Sequence, residues 1–346
     1  MSVRSDAAGA PGSGQLPSHV MNTADNTPRT GATVGLGLAA VGRPAYITST
    51  REDDLGDERS IEDMRLRTFD VLDAAYGDGV RYVDCARSYG LSEQFLSDWL
   101  REHPEVDDVT VASKWGYRYV GEWQLDAEVH EVKDHSLGEF VDQWTASRSI
   151  IGDPLAIYQI HSLTPDSPAL VNDALHRALG RLRSDGFTVG FSTSGPAQAD
   201  VVRQALSIEV DGLPLFGVVQ STWNPLETSV GPALAEAAEA GVSVVVKEGM
   251  ANGRLAPGVE DQSEARRVVD RVAEELGVSS DQVALAAALA QPWAAHVLSG
   301  AATVEQVHSN VAAGELSLTP ETVSELLAHP EPPAEYWAKR SQRSWS

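Results

Sequence analysis

The sequence predicts an α/β protein built as a (β/α)8 TIM barrel, a single domain that follows a disordered N-terminal tail. Short apolar runs rich in β-branched residues alternate with longer amphipathic segments from Thr33 onward. This pattern favours parallel strands joined by helical crossovers. Eight strand and helix pairs in roughly 270 residues also match the usual size of this fold, about 250 residues.

The predicted strands are spread over the whole region after the tail. They are TVGLGLAA (33–40), VRYVDC (80–85), VTVASK (109–114), LAIYQIH (155–161), FTVGFST (187–193), LFGVVQS (215–221), VSVVVKE (242–248) and AAHVLSGA (294–301). An open doubly wound sheet is the structural alternative. It is less favoured because the segment GLGL at 35–38 lacks the third glycine of a dinucleotide-binding turn and opens no obvious helix.

The intervening segments carry helix signals. Phe69, Leu72 and Tyr76 recur at helical spacing. Ser279 and Gln282 form a capping-box pattern before an alanine-rich run. We therefore divide the chain into a disordered tail (1–30), the barrel (31–330) and a C-terminal tail (331–346).

The composition disfavours several classes of partner and site. The chain of 346 residues has 50 acidic and 26 basic residues, a formal net charge of -24, which repels nucleic acid and anionic membrane surfaces. Cys85 is the only cysteine, so an intramolecular disulfide is impossible and a thiolate metal site is disfavoured. The first thirty residues contain no apolar run resembling a signal peptide. We expect a cytoplasmic protein, while its oligomeric state is left open.

Titratable side chains stand at three consecutive predicted strand ends, where barrel enzymes build their sites. Asp84 ends the second run and Tyr89 follows five residues later, Lys114 ends the third run, and His161 ends the fourth. Singly, each has a structural explanation: an aromatic packed in a loop, a solvent-facing lysine or a core histidine. Burying titratable groups at three consecutive strand ends costs free energy, so packing alone is a poor explanation for all of them.

The four side chains suit one task, which is to polarise a carbonyl group and transfer a proton to it. A phenol titrates near 10, and an ammonium group next to Tyr89 is expected to lower that pKa toward neutrality. Asp84 would hold Lys114 by a charge-assisted hydrogen bond. His161 would orient a carbonyl oxygen through a neutral donor nitrogen. One Asp and one His are a poor metal site, so no metal is expected.

The ordered set Asp84, Tyr89, Lys114 and His161 resembles the catalytic tetrad of the aldo-keto reductase superfamily. The contexts DCARSYG, ASKWG and YQIHS carry the likeness, together with GLGLAAVG near the start and SGAATVEQVHSNVAA near the end. The resemblance runs from about Thr33 to Ala313. It implies an oxidoreductase of the aldo-keto reductase or alcohol dehydrogenase type, which passes a hydride between a nicotinamide cofactor and a carbonyl or alcohol, with Tyr89 as general acid or base.

The same resemblance implies the cofactor contacts. Ser192, Thr193 and Gln220 would meet the carboxamide, although relatives usually have asparagine in place of Thr193. The remaining implied contacts, for the phosphates and adenine, are Arg254, Gly300, Ala301, Gln306 and Asn310. Many relatives place basic side chains at the positions of Gly300 and Gln306. NADP(H) is nevertheless expected from family habit, with NAD(H) possible.

Lys247 stands where relatives often have an aromatic ring beneath the nicotinamide. We expect it to pair with Glu248, and Trp223 or another aromatic to cover the ring. Aromatic residues near strand ends would form the substrate wall for an aldehyde, ketone or sugar. They are Tyr46, Trp115, Tyr117 and Trp223.

Two other functions stay open. Lys114 at a barrel strand end could form a Schiff base with a carbonyl substrate, but Asp84 beside it would keep the amine charged. Alternatively, the chain could be a cofactor-sensing subunit or binding protein with little turnover, as some relatives of the family are.

Overall fold

Eight parallel strands close into a barrel, which confirms the predicted fold. The computed structural model describes residues 31–47, 54–56, 58–343 and 345, and the predicted N-terminal tail (1–30) lies outside them. The strands of the described residues are β1 Thr33–Gly37, β2 Tyr82–Asp84, β3 Thr110–Trp115, β4 Tyr117–Tyr119, β5 Glu131–Lys133, β6 Leu155–Leu163, β7 Thr188–Thr193, β8 Glu209–Val210, β9 Leu213–Pro214, β10 Val218–Thr222, β11 Ser243–Lys247 and β12 His296–Ser299. The barrel order is β1-β12-β11-β10-β7-β6-β3-β2, while β4-β5 and β8-β9 form separate antiparallel pairs.

Helices lie between successive barrel strands and also follow the last strand, β12. Those between strands are α1 Ile61–Gly77, α2 Ser92–Glu102, α3 Leu137–Ile151, α4 Asp173–Ser184, α5 Gln198–Leu206, α6 Gly231–Glu239, α7 Glu264–Leu276 and α8 Ser280–Leu289, and those after β12 are α9 Val304–Ala312, α10 Pro320–Leu326 and α11 Pro333–Ser341. The predicted capping box at Ser279 is present at the start of α8, where the Ser279 N–H donates to Gln282 Oε1 at 3.0 Å. In the described part of the chain, no helix has both the length and the apolar stretch required to cross a membrane.

The inside of the barrel has an apolar layer below a polar one. One residue from each of six strands forms a buried apolar cluster. Its members are Tyr82, Ala112, Ile157, Val218, Val245 and Leu298. Because side chains alternate along a strand, the residue two positions further on points inward again. In β2, β3, β6 and β10 that residue is polar, and each of the four is buried. They are Asp84, Lys114, Gln159 and Gln220.

The C-terminal segment is part of the packed structure. The residues that we expected to form a tail (331–346) include α11, whose Tyr336 and Trp337 are buried against α7 and α8 residues such as Val269 and Ala284. Tyr336 also accepts a hydrogen bond from Asn224 Nδ2 at 3.0 Å through its hydroxyl oxygen. This packing brings the end of α11 to the barrel mouth.

Candidate active site

The polar layer forms a buried hydrogen-bond network centred on Lys114. Its ammonium group donates to Asp84 Oδ2, to the Cys85 carbonyl oxygen at 3.1 Å and to the Tyr89 hydroxyl at 3.4 Å. Gln220 Nε2 donates to the other carboxylate oxygen of Asp84 at 3.0 Å. The ion pair is fully enclosed, with side chains 0% and 2% exposed. A buried charge of this kind needs its partner, so Asp84 and Lys114 depend on each other.

Tyr89 joins this ion pair to His161. Its hydroxyl lies 3.4 Å from His161 Nε2, and Ser88 Oγ lies 3.3 Å from Nδ1 of the same ring. The Ser88 hydroxyl can donate to Nδ1, which leaves Nε2 to carry the proton. The imidazole is then oriented to donate a hydrogen bond at the Tyr89 hydroxyl.

The Tyr89 loop is pressed against the loop that follows β1. Gly90 has a φ of 59°, and a Cβ there would lie 2.5 Å from the Gly42 carbonyl oxygen. The Leu91 N–H donates to that same oxygen at 2.8 Å. The glycine after Tyr89 is therefore required both by its left-handed backbone and by the close approach of the two loops.

Arg43 fixes the same loop from the side of the cavity. Its guanidinium, on a side chain only 2% exposed, donates to the Ser88 carbonyl oxygen at 2.9 Å and to Glu131 Oε1 at 2.7 Å. Its Cζ lies 5.3 Å from the centre of the Tyr89 ring. Neither Arg43 nor Glu131 was expected from the sequence, because they come from a loop and a hairpin that only the tertiary fold brings together.

The pKa of Tyr89 is shifted in the direction opposite to our expectation. Burial, followed by the negative charge of Asp84, raises the pKa of Tyr89 well above its ordinary value. The positive charge of Lys114 is largely balanced by the Asp84 carboxylate that it contacts. Tyr89 is therefore a neutral phenol at physiological pH, which is the protonated form that a general acid requires.

His161 is neutral, as we expected. Burial, and then the positive charges of Lys114 and Lys247, lower the pKa of His161 well below its usual value. Burial likewise lowers the pKa of the neighbouring His135 to about 4, and His135 Nε2 lies 2.8 Å from the His161 carbonyl oxygen. Both rings therefore act as neutral hydrogen-bonding groups.

A cavity of about 360 Å³ lies over this network. It brings together many of the residues that the sequence singled out. Those that line it are Tyr46, Asp84, Tyr89, Tyr117, His161, Gln220, Lys247, Gly300, Gln306 and Asn310. The Tyr117 ring packs edge-on against His161, with 5.1 Å between the ring centres. In the part of the chain that the structure describes, no group of three or more His, Cys, Asp or Glu is placed to hold a metal ion.

Two aromatic residues expected in the substrate wall lie instead in the core. Trp115 is 0% exposed and packs against Phe140 of α3, with ring centres 5.1 Å apart. Trp223 packs against Trp293 at 5.6 Å. Strand alternation explains Trp115, because its neighbour Lys114 points into the barrel and Trp115 must then face the helices. Because Trp223 packs against Trp293, it covers no part of the cavity.

Several expected cofactor contacts also lie outside the cavity lining. Thr193 faces away from it, since Thr193 Oγ1 lies 2.7 Å from Ser221 Oγ. Ser192 Oγ accepts a hydrogen bond from the Ser162 N–H at 2.8 Å, and Ala301 is buried. Arg254 is held by two carboxylates, with 2.6 Å to Asp261 and 2.7 Å to Glu331.

Lys247 lies beside Glu248, as we expected, but Arg340 contacts the same carboxylate. Its ammonium group donates to Thr222 Oγ1 at 2.8 Å and lies 3.7 Å from Glu248 Oε1. Arg340 of α11 contacts the same carboxylate, with 2.5 Å between Nη2 and Oε1. Burial lowers the pKa of Lys247 to about 8, so its positive charge is present at neutral pH. The two cations exceed the single carboxylate by one charge.

A second group that sequence reasoning missed lies at the cavity. Trp345 lies in the cavity lining and stacks on His130 of the β4-β5 hairpin, with ring centres 4.4 Å apart. Arg43 lies over the same indole ring, with Cζ 4.5 Å from its centre. The hairpin and the C-terminal segment therefore meet beside the cavity, in regions where strand periodicity predicted nothing.

The end of the cavity near β12 includes the beginning of α9. Thr303 caps α9 by accepting from the Gln306 N–H at 3.3 Å. Gln306 Oε1 accepts from the Ala302 N–H at 2.8 Å, and its amide donates to Asp54 at 2.7 Å. Asn310 Nδ2 donates to Ser299 Oγ at 2.8 Å.

Comparisons with known proteins agree with this architecture. A model of the Aldo/keto reductase family matches residues 54–331. The aldo-keto reductase str7 of Strobilurus tenacellus is 24% identical over 317 residues, which are 84% of this chain and 85% of that protein. The solved glycerol dehydrogenase AKR11B4 of Gluconobacter oxydans has a TM-score of 0.65 at 22% identity, covering 86% of this chain and 92% of its own. The holo form of aldo-keto reductase AKR11C1 from Bacillus halodurans has a TM-score of 0.64 at 22% sequence identity. The match covers 86% of this chain and 92% of that one.

Proposed function

The chain belongs to the aldo/keto reductase family of oxidoreductases, and from that premise we propose that it interconverts a small carbonyl compound and an alcohol with a nicotinamide cofactor. The observation that carries this proposal is the Tyr89 hydroxyl at the floor of the cavity, 3.4 Å from both Lys114 Nζ and His161 Nε2. A phenol between an ammonium group and a neutral imidazole is equipped to give a proton to a carbonyl oxygen.

In the reductive direction, His161 and Tyr89 bind the carbonyl oxygen together. The neutral His161 donates a hydrogen bond that orients the oxygen, and Tyr89 gives up its proton as negative charge develops there. The nicotinamide would supply the hydride. Lys114 lies 3.4 Å from the phenol oxygen and stabilises the tyrosinate left behind, while Asp84 keeps Lys114 in place. In the oxidative direction, the tyrosinate takes the proton from an alcohol.

The residues along the cavity fit a nicotinamide cofactor. Gln220 and Lys247, which line the tetrad end of the cavity, would hold the nicotinamide, and Gln220 would bind its carboxamide. At the far end, Gly300 leaves open space where a side chain would stand. Asn310 Oδ1 is buried without a hydrogen-bond partner among the described residues, as expected of an atom that receives a ligand donor.

Tyr46, Tyr117 and Trp345 would contact the substrate. All three line the same cavity as Tyr89. Aldehydes, ketones and sugars are the proposed substrate class. A cytoplasmic location stays a prediction that rests on the single Cys85.

The proposal is tested by a panel of aldehydes, ketones and sugars assayed with reduced nicotinamide cofactors, following loss of the reduced ring's absorbance. We expect turnover of at least one carbonyl class that is saturable in substrate. Cofactor binding without turnover across the panel would favour the cofactor-sensing subunit instead.

The imine-forming alternative is not favoured at Lys114. Its ammonium group is bonded to Asp84, Cys85 and Tyr89, and the side chain is 0% exposed. A Schiff base needs an uncharged amine that a substrate can reach. Borohydride treatment with a carbonyl substrate should therefore leave Lys114 unmodified.

Two charges beside Tyr89 should shift the pH dependence of alcohol oxidation in opposite directions. Arg43 lowers the pKa of Tyr89 and Glu131 raises it, and oxidation requires the tyrosinate. The rise of kcat with pH should therefore move to higher pH in Arg43→Met and to lower pH in Glu131→Gln, with Arg43→Lys closer to the parent. The measurement is the pH profile of kcat for all three variants.

The paired design separates this electrostatic effect from simple loss of the Arg43–Glu131 contact. Both substitutions break the same 2.7 Å ion pair, so a purely structural role would change the two profiles in the same direction. Shifts of the same sign would contradict the electrostatic explanation.

A further inference from the structure

We propose that the far end of the cavity selects NAD(H) over NADP(H), and that Asp281 is the residue that binds the adenosine ribose and excludes a 2′-phosphate. This inference rests on the proposed function, because it concerns the cofactor of that same site. It departs from the NADP(H) preference expected from family habit.

Two buried acceptor atoms at this end have no partner among the described residues. They are Asp281 Oδ1 and Asn310 Oδ1. Both side chains line the cavity, and they are only 5% and 1% exposed. A buried carboxylate oxygen without a donor is costly. Both atoms are therefore suited to receive hydrogen bonds from a ligand that carries hydroxyl or amino groups.

The side chains that carry the two acceptors are held by hydrogen bonds near the contact between α8 and α9. Asp281 is the second residue of α8, and its other oxygen accepts from Ser309 Oγ at 2.8 Å. Ser309 precedes Asn310 on α9, and Asn310 is fixed by its bond to Ser299 Oγ at 2.8 Å. These bonds hold the two unpartnered oxygens in place before any ligand arrives, which lowers the ordering cost of binding.

The electrostatics of this end oppose a second phosphate. Asp54 and Asp281 both line the cavity, and Asp54 accepts from the Gln306 amide at 2.7 Å. The segment from Gly300 to Asn310 carries no lysine or arginine. A ribose 2′-hydroxyl can donate to a carboxylate, whereas a 2′-phosphate offers only acceptors and negative charge. A carboxylate that accepts from the ribose 2′-hydroxyl is also how Rossmann folds bind NAD(H).

The cations that line the cavity are engaged by other groups. Arg43 contacts Glu131, and Lys247 and Arg340 share Glu248. Arg343 donates to the Asn252 carbonyl oxygen at 3.0 Å. Three of these four cations therefore already contact a carboxylate.

The test is direct binding of NADH and NADPH to the purified protein, measured by calorimetric titration without substrate. We expect NADH to bind at least about tenfold more tightly, a difference of about 1.4 kcal/mol. As smaller probes, 5′-AMP should displace NADH at least as well as 2′,5′-ADP does. Equal or tighter binding of NADPH would overturn the inference while leaving the proposed function intact. Failure of both cofactors to bind would contradict the proposed function as well.

The variant Asp281→Asn tests whether Asp281 causes the preference for NADH. It should reduce the NADH preference several-fold by weakening NADH binding and relieving repulsion of NADPH. Asp185→Asn makes the same chemical change at an exposed residue that follows α4, and it should leave the ratio of the two dissociation constants unchanged. An unchanged ratio in Asp281→Asn would overturn the role of Asp281.

Discussion

The variant Tyr89→Phe should lose most of its turnover, with kcat lowered by about 10²–10⁴-fold, the usual contribution of a general acid. Phenylalanine keeps the ring that packs edge-on against His161 at 5.4 Å but has no proton to give. Cofactor affinity should change little, because the proposed contacts with the cofactor lie elsewhere in the cavity. Steady-state assays and calorimetric titration of the cofactor measure the two effects separately.

Tyr117→Phe is the matched control for this substitution. Tyr117 also lines the cavity and also packs against His161, but its hydroxyl has no place in the proton transfer. We expect a change in KM for carbonyl substrates with most of kcat retained. Comparable losses of kcat in the two variants would mean that Tyr89 is not the specific proton donor.

The variant Asp84→Asn should cause the largest loss of stability, about 3–5 kcal/mol in the free energy of unfolding. It leaves the Lys114 ammonium group without its counter-ion at a site that is 0% exposed. Turnover should fall too, because Lys114 would no longer be held beside the Tyr89 hydroxyl. Chemical denaturation gives the stability, and the same steady-state assay gives the activity.

Two comparisons check the cause of that loss. Asp108→Asn breaks a surface ion pair with Arg81, whose side chains are 51% and 32% exposed, and should cost no more than about 1 kcal/mol. The double variant Asp84→Asn with Lys114→Met removes the uncompensated charge. It should be more stable than Asp84→Asn alone but remain inactive. If it were no more stable, the buried charge would not be the reason for the loss.

Strand periodicity was sufficient to predict the barrel and the positions of Asp84 and Lys114 inside it. Each predicted run overlaps one strand of the barrel, and β3, β6 and β10 extend one or two residues beyond their runs. Asp84 and Lys114 lie two residues beyond the apolar interior residues Tyr82 and Ala112. A period of two residues, combined with the strand ends, is enough to place both side chains inside the barrel.

The same alternation, applied more strictly, would have corrected two expectations. Trp115 follows the inward-pointing Lys114, and Thr193 follows Ser192. Each is therefore on the face of its strand that meets the helices, and each is buried there. Proximity to a strand end was not a sufficient criterion, because it ignores which face of the sheet a side chain occupies.

The remaining parts of the site depend on contacts between segments distant in the sequence. Arg43 meets Glu131 across 88 positions, and Arg340 meets Glu248 across 92. Local periodicity in the sequence does not predict contacts between such distant residues. Trp345 belongs to a segment with no strand pattern. The direction of the Tyr89 pKa shift was also inaccessible, because it depends on how deeply the phenol is buried and on the charge that Asp84 balances.

We propose that a hydride and a proton reach the carbon and the oxygen of one carbonyl group in this cavity. The most direct measurement uses reduced cofactor deuterated at the transferring position, with mass spectrometry of the alcohol formed from an accepted carbonyl. We predict one deuterium per product molecule on the former carbonyl carbon, with product formation largely lost in Tyr89→Phe. Alcohol without deuterium on that carbon, or full product formation by Tyr89→Phe, would contradict the account.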